Sequence, residues 1–89
     1  MVRVVFTQVL ARHFACPPSL SEAGTVREIL DRVFAGNERA RGYIVDERGA
    51  LRKHVAVFIN GEPVRDRLGL GDVVSAGSEL YVMQALSGG

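Results

Sequence analysis

Eighty-nine residues with 47% hydrophobic content and a net charge of +1 describe one small globular domain, which buries about 60–65% of its unfolded surface and holds little stability in reserve. Eleven basic residues against ten acidic ones exclude a dedicated nucleic-acid surface, and no apolar run nears the roughly 18 residues that a membrane span needs. The lone cysteine, Cys16, excludes an internal disulfide and a cysteine-rich metal cluster, and reads as a small apolar filler.

Val2-Arg3-Val4-Val5-Phe6 has period-2 character with β-branched residues and predicts a first strand, although Val5 breaks the alternation and leaves the register open. It follows Met1 without the basic region, long apolar run or cleavage site of a signal peptide, so a cytoplasmic location is expected. Phe14 to Leu20 is expected to return beside it as an outer strand, because Pro17 and Pro18 remove ladder donors and are tolerated only at an edge or a bulge. Thr25 followed three residues later by Glu28 is a capping box, and Val26, Ile29, Leu30, Val33 and Phe34 recur at helical spacing. Glu28 and Arg32 are spaced for an (i, i+4) ion pair, and Gly36-Asn37 supplies a stop.

Glu38 to Lys53 is charged and reads as a loop, with a short turn or strand at Tyr43-Ile44-Val45 and a turn at Asp46-Glu47-Arg48-Gly49. Val55-Ala56-Val57-Phe58-Ile59 then runs into Asn60-Gly61, a strong hairpin signal, with Pro63-Val64 as a brief returning strand. Gly69, Gly71 and Gly77 punctuate a loop before a last strand from Leu80 to Gln84. The order β-β-α-β-β-β predicts an α+β fold: one main helix packed on one face of a four- or five-stranded mixed sheet. His13 and His54 lack ligand spacing and read as surface or strand histidines. Arg39, Arg41, Arg48, Arg52 and Lys53 form either a solvated loop or a basic face for an acidic partner.

The chain closes on Leu86-Ser87-Gly88-Gly89. Two residues without Cβ can thread a channel too narrow for any side chain, which makes the Gly89 carboxylate the candidate reactive group, with Gly88 beside it; the alternative is a frayed end. Ser87 has no Asp/His arrangement and reads as a small residue that lets the tail pass. Beyond about Met83, six residues at about 3.3–3.6 Å each reach on the order of 20 Å into a partner. If Leu80 and Val82 point inward, alternation turns Tyr81 and Met83 outward, and likewise Phe58 outward while Val57 and Ile59 point in. Phe58, Tyr81 and Met83, with Ala85, Leu86 and Ser87 of the tail, are therefore the candidate partner-binding residues. A one-residue slip would bury the strand members of that set.

Taken together these features resemble a family. The opening Val2-Arg3-Val4, the helix from Thr25, Arg52-Lys53-His54-Val55-Ala56-Val57-Phe58-Ile59-Asn60-Gly61, the Gly77 loop and the terminal Gly88-Gly89 are similar to ubiquitin-like β-grasp sulfur carriers of the MoaD/ThiS superfamily, over essentially the whole chain. The stretch from Tyr43 to Arg52 resembles the longer MoaD and CysO-like members, whereas Gln84-Ala85-Leu86-Ser87 departs from the usual Pro-Pro or Pro-Ala before the glycines. The resemblance implies a β-grasp domain over residues 1–84 and a flexible tail over 85–89. It also implies a carrier rather than an enzyme, whose Gly89 carboxylate is adenylated by a MoeB/ThiF-like enzyme using ATP and Mg²⁺. A sulfur donor then converts it to a thiocarboxylate for an acceptor synthase subunit or sulfur-using enzyme, in a molybdopterin, cysteine or thiamine-type pathway. The chain itself has no P-loop lysine beside Gly69 and Gly71, so no bound cofactor is expected. The free protein is expected to be a monomer. A protein modifier conjugated through Gly89 and a non-reactive interaction domain are the alternatives. Ten of the eleven basic residues are Arg and only Lys53 is Lys, which leaves few amines for self-conjugation.

Overall fold

The computed structural model describes residues 1–11 and 17–84, with the side chains of Val9 and Ala11 also left aside. The elements are β1 (Val2–Phe6), α1 (Gln8–Ala11), β2 (Ser19–Ser21), β3 (Gly24–Thr25), α2 (Val26–Val33), α3 (Glu38–Ile44), β4 (Val55–Ile59), β5 (Glu62–Pro63), β6 (Val73–Val74) and β7 (Glu79–Gln84). Five strands form one mixed sheet in the order β2-β1-β7-β4-β5, and β3 and β6 form a separate two-stranded ladder. The last strand lies at the centre, parallel to β1 and antiparallel to β4. This is the β-grasp arrangement, and β7 carries the chain from the middle of the sheet into the tail.

One face of the sheet supplies the core. Val2, Val4 and Phe6 of β1, Val55 and Val57 of β4, and Leu80 and Val82 of β7 are buried against Val26, Ile29, Leu30 and Phe34 from α2 and its C-cap. Each such side chain contributes about 1.5–3 kcal/mol on burial. The Phe6 and Phe34 rings meet at 5.8 Å and 48°. Val5 breaks the alternation because it faces the other side of the sheet, where Tyr81 is its register partner.

α2 begins where the capping box places it. Thr25 Oγ1 accepts from Glu28 N–H at 3.2 Å, and Glu28 Oε1 accepts from Thr25 N–H at 2.9 Å. The next orphan donors, the N–H groups of Val26 and Arg27, donate to the carbonyls of Asp72 and Leu70 at 3.0 Å. The expected Glu28–Arg32 pair does not close to a salt bridge, although, after the Thr25 hydrogen bonds, the Arg32 charge helps to hold the Glu28 carboxyl below its ordinary range. Glu28 is committed to Thr25, and Arg32 instead donates to Ser21 Oγ and the Glu22 carbonyl, tying α2 to β2.

The charged stretch after Gly36 is not a loop throughout. Asn37 caps α3, its Oδ1 accepting from Ala40 N–H at 3.2 Å, and Ala40 and Ile44 are buried. An Arg41–Asp31 salt bridge at 2.7 Å joins α3 to α2. The turn at Asp46–Gly49 is present, closed by the Gly49 N–H donating to the Asp46 carbonyl. Gly49 sits at φ +85°, and a Cβ there would meet the Arg27 guanidinium at 2.6 Å. That guanidinium donates to the carbonyls of Gly69 and Gly49 at 3.0 and 3.5 Å, fastening two loops to α2.

β2 is an edge strand, as expected, but it is confined to Ser19–Ser21 and begins after Pro17 and Pro18 rather than running through them. Phe14 and Cys16 lie outside the described residues, as does His13.

Candidate functional site: the outer sheet face and the root of the tail

Alternation along β7 and β4 builds a second apolar surface on the face opposite the core. Register pairs Val5 with Tyr81, Tyr81 with Phe58, and Phe58 with Pro63. One transverse row thus runs Val5–Tyr81–Phe58–Pro63 across four strands. One step nearer the tail, Met83 pairs with Ala56. Phe58, Tyr81 and Met83 are half-buried rather than freely exposed, whereas Leu80 and Val82 between and beside them are fully buried. The half-burial follows from the pleat: side chains opposite each other on antiparallel strands stand within about 5.5 Å and shelter one another. Sequence reasoning found three members of this surface and missed Val5, Ala56 and Pro63. The broken alternation at Val5 was the signal for the first of these.

The surface is held in register at its far end by the hairpin. Asn60 and Gly61 both take positive φ, 51° and 86°, as a two-residue I′ turn requires. The Asn60 side chain also reaches across to β7. Its Oδ1 accepts from Glu79 N–H at 2.9 Å and its Nδ2 donates to Ser78 Oγ at 3.1 Å. Asn60 therefore shapes the turn and pins the start of the strand that ends in the tail.

At the near end, Gln84 is the last residue of β7 and pairs with Val55, the first of β4. A turn just before Val55 is closed by Val55 N–H donating to the Arg52 carbonyl at 3.0 Å. The Arg67 guanidinium, through Nη2, donates to the carbonyls of Arg52 and Val55 at 2.9 and 2.7 Å. Lys53 and His54 are the two corner residues of that turn, Lys53 exposed and His54 half-buried, with the His54 ring edge-on to Tyr43 at 4.9 Å. Five residues, Ala85 to Gly89, follow Gln84 and span about 17 Å when extended. Ala85, Leu86, Ser87, Gly88 and Gly89 lie outside the described residues.

Four carboxylates are held below the ordinary carboxylate range, and all four serve the scaffold. Backbone N–H groups of Gly69 and Gly71 do this to Asp66, those of Arg65 and Asp66 to Asp72, and that of Ala50 to Asp46. For Glu28 the cause is the Thr25 cap. Among the described residues no group of three His, Cys, Asp or Glu gathers in a metal-binding arrangement, and no helix is long and apolar enough to cross a membrane.

A family model described as ThiS family matches residues 8–89. The chain belongs to the ThiS family. Its match runs through the two terminal glycines. Among solved structures, the chain is 29% identical to a chain of the BexX/CysO complex of Amycolatopsis orientalis, with a TM-score of 0.80, covering 100% of both chains. CysO of Mycobacterium tuberculosis is similar at 22% identity and TM-score 0.75, covering 97% of this chain and 100% of that one. Small archaeal modifier protein 1 of Haloferax volcanii is similar at 22% identity and TM-score 0.73, covering 96% and 97%. At that identity the latter two speak to the fold. No curated protein matches the chain. The family match places the chain in the MoaD/ThiS superfamily of ubiquitin-like sulfur carriers.

Proposed function

We propose that this ThiS-family member is a sulfur carrier whose Gly89 carboxylate is activated and then charged with sulfur. A carboxylate is a poor electrophile. Attack of its oxygen on the α-phosphorus of ATP expels pyrophosphate and leaves an acyl-adenylate, from which a sulfur nucleophile displaces AMP to give the thiocarboxylate. ATP and Mg²⁺ belong to a MoeB/ThiF-like partner in this reading, because the chain's own glycine-containing loops are filled by Asp66 and Arg27 contacts. The observation that carries the reading is a family match continuing to Gly89 on a fold whose central strand leads directly into the tail. The row of Val5, Tyr81, Phe58 and Pro63 with Met83 beside it offers the activating enzyme an apolar surface at the tail's root. The BexX/CysO complex supports the idea that such a carrier docks on a second protein.

Pyrophosphate exchange with an adenylating enzyme from the same organism tests the reading. The native chain should support exchange, and chains lacking Gly89 or carrying one residue beyond it should not. Exchange indifferent to both changes would overturn it. Charging itself is read by intact mass as replacement of one oxygen by sulfur. The similarity to small archaeal modifier protein 1 favours a second reading, conjugation of Gly89 to lysines of other proteins. Branched peptides carrying the chain's C-terminal segment after Arg67 on those lysines, without a sulfur-bearing terminus, would select it.

A further inference from the structure

We propose that the turn of residues 52–55 at the C-terminal end of β7, with Arg67 against it, is a docking site for a carboxylate-rich segment of a partner protein. The proposal rests on the carrier reading only for the partner's identity, the activating enzyme. A net charge of +1 conceals an uneven placement of the cations. Arg41 is bridged to Asp31 at 2.7 Å, and Arg3 is the register partner of Glu79 in the β1–β7 ladder. Asp66, Asp46 and Asp72, each held chiefly by backbone N–H groups, also feel the charges of Arg27, Arg48 and Arg65 in turn, and Glu28 feels that of Arg32. Lys53 and Arg67 have no acidic partner among the described residues, and Arg52 shares with Arg48 an Asp46 already bonded to backbone. Arg39 is likewise unbridged and lies one helical turn before Tyr43, whose ring meets His54 of the same turn. Unpaired positive charge therefore collects at one corner of the molecule.

Strand pairing fixes where that corner is. Val55 opens β4 and is the ladder partner of Gln84, which ends β7. Arg67 Nη2 donates to the carbonyls of Arg52 and Val55 at 2.9 and 2.7 Å, so its charge lies directly against the turn. Arg52 Nε donates to the Gly42 carbonyl at 2.7 Å, and its backbone N–H to the Ile44 carbonyl at 3.1 Å. Both guanidinium groups are thereby held in place while part of each fork stays uncommitted among the described residues: Nη1 and Nη2 of Arg52, Nη1 and Nε of Arg67. A side chain already ordered loses little freedom when a carboxylate arrives, and the planar fork matches its two oxygens. Lys53 stands exposed beside them as a third, mobile cation. The next residue of β4, Ala56, pairs with Met83 of the outer face, so a partner seated on that face also meets the corner. Phosphate oxygens would suit the same forks. A charge confined to one corner offers no track for a nucleic-acid backbone and no broad basic face for anionic lipid, which leaves an acidic protein segment as the occupant.

The test titrates the isotope-labelled full chain with a short capped peptide of alternating Asp and Glu, followed by NMR. The Nε–H signals of Arg52 and Arg67 and the amide of Lys53 should move, those of Arg3 and Arg65 should stay, and raising salt from about 50 to about 300 mM should remove the effect. Lys53→Glu, checked for an unchanged melt, should weaken peptide binding about 3–10-fold, while Arg3→Glu, the same change of charge at the other end of β7, should alter it less than about 2-fold. Shifts spread evenly over the arginines, equal weakening by the two substitutions, or tighter binding at the same residues by a DNA oligonucleotide of equal charge or by phosphatidylglycerol vesicles would each overturn the proposal. Because the peptide replaces the activating enzyme, a negative result leaves the adenylation reading standing, and failed adenylation leaves a positive result standing.

Discussion

Tyr81 and Val82 are neighbours on one strand, yet they belong to different surfaces. Val82 is fully buried among β1, β4 and α2, while Tyr81 is half-buried in a row on the opposite face of the sheet. The inner face has spent its apolar area on folding. The outer face has spent only part of it, and that remainder is what a partner can use. In the proposed function the central strand, paired on both sides, serves both purposes, its inner face packing the core and its outer face and end meeting the partner.

Substitution at adjacent positions is the sharpest way to break this comparison. Val82→Asp should place an unpaired charge in the core and cost several kcal/mol, a large share of the roughly 5–15 kcal/mol that a domain has. Circular dichroism should show an unfolded chain at 25 °C. A cooperative melt close to that of the wild type would mean that the two faces are assigned the wrong way round.

Asn60 comes next, since it joins the two faces' strands at the far end. Asn60→Ala forfeits both hydrogen bonds to the start of β7 and puts Ala at positive φ, for about 1–3 kcal/mol. Asn60→Gly keeps the turn and loses only the bonds, so it should be the milder of the two in denaturant titration. Equal losses would show that the positive φ costs Ala nothing and that the bonds carry the whole effect, whereas an unchanged Asn60→Gly would show that the cross-strand bonds contribute nothing.

Tyr81→Glu should cost about 1 kcal/mol or less, because its charge can reach water. That corresponds to about 4–8 °C in melting temperature for a domain of this size. Its larger effect is expected on affinity for the activating enzyme, measured by titration calorimetry, and Phe58→Glu should behave alike. Wild-type affinity in both variants would remove the outer row from the docking surface.

The smallest expected effect is on acid stability. Asp66, Asp72, Asp46 and Glu28 bind protons less readily folded than unfolded, because native N–H groups hold their carboxylates. The unfolded chain therefore takes up more protons as pH falls, so their contribution is present above about pH 4.5 and is lost as pH drops through the folded values. Melts between pH 6 and pH 3 should show the loss, and Asp66→Asn should flatten it. All four groups are solvent-screened, so the change should be gradual rather than a collapse.

Much of this was legible along the chain, for identifiable reasons. α2 was readable because its cap and its stripe are local: Thr25 and Glu28 are three apart and Val26, Ile29 and Leu30 lie on one helical face. The hairpin was readable because Asn60-Gly61 carries its own backbone preference. α3 escaped because Glu38–Ile44 has only Ala40 and Ile44 to bury and contains Gly42. Its stability comes from the Asn37 cap and a salt bridge to Asp31 ten residues away. The four-residue α1 and the β3–β6 ladder, two residues a side, are too short to carry a period.

The sequence by itself determined which residues seek the core, where the main helix begins, where the chain turns, and that it ends in two residues without side chains. These follow from preferences that act within a few positions. Tertiary structure alone decided that the last strand is the central one, that Val5 and Pro63 complete a row with Tyr81 and Phe58, and that Lys53 stands at the tail's root while Met1 stands at the opposite end. Each of these depends on strand order and direction. Long-range pairing sets that order by burying all the apolar faces at once, a condition that no single segment can express alone.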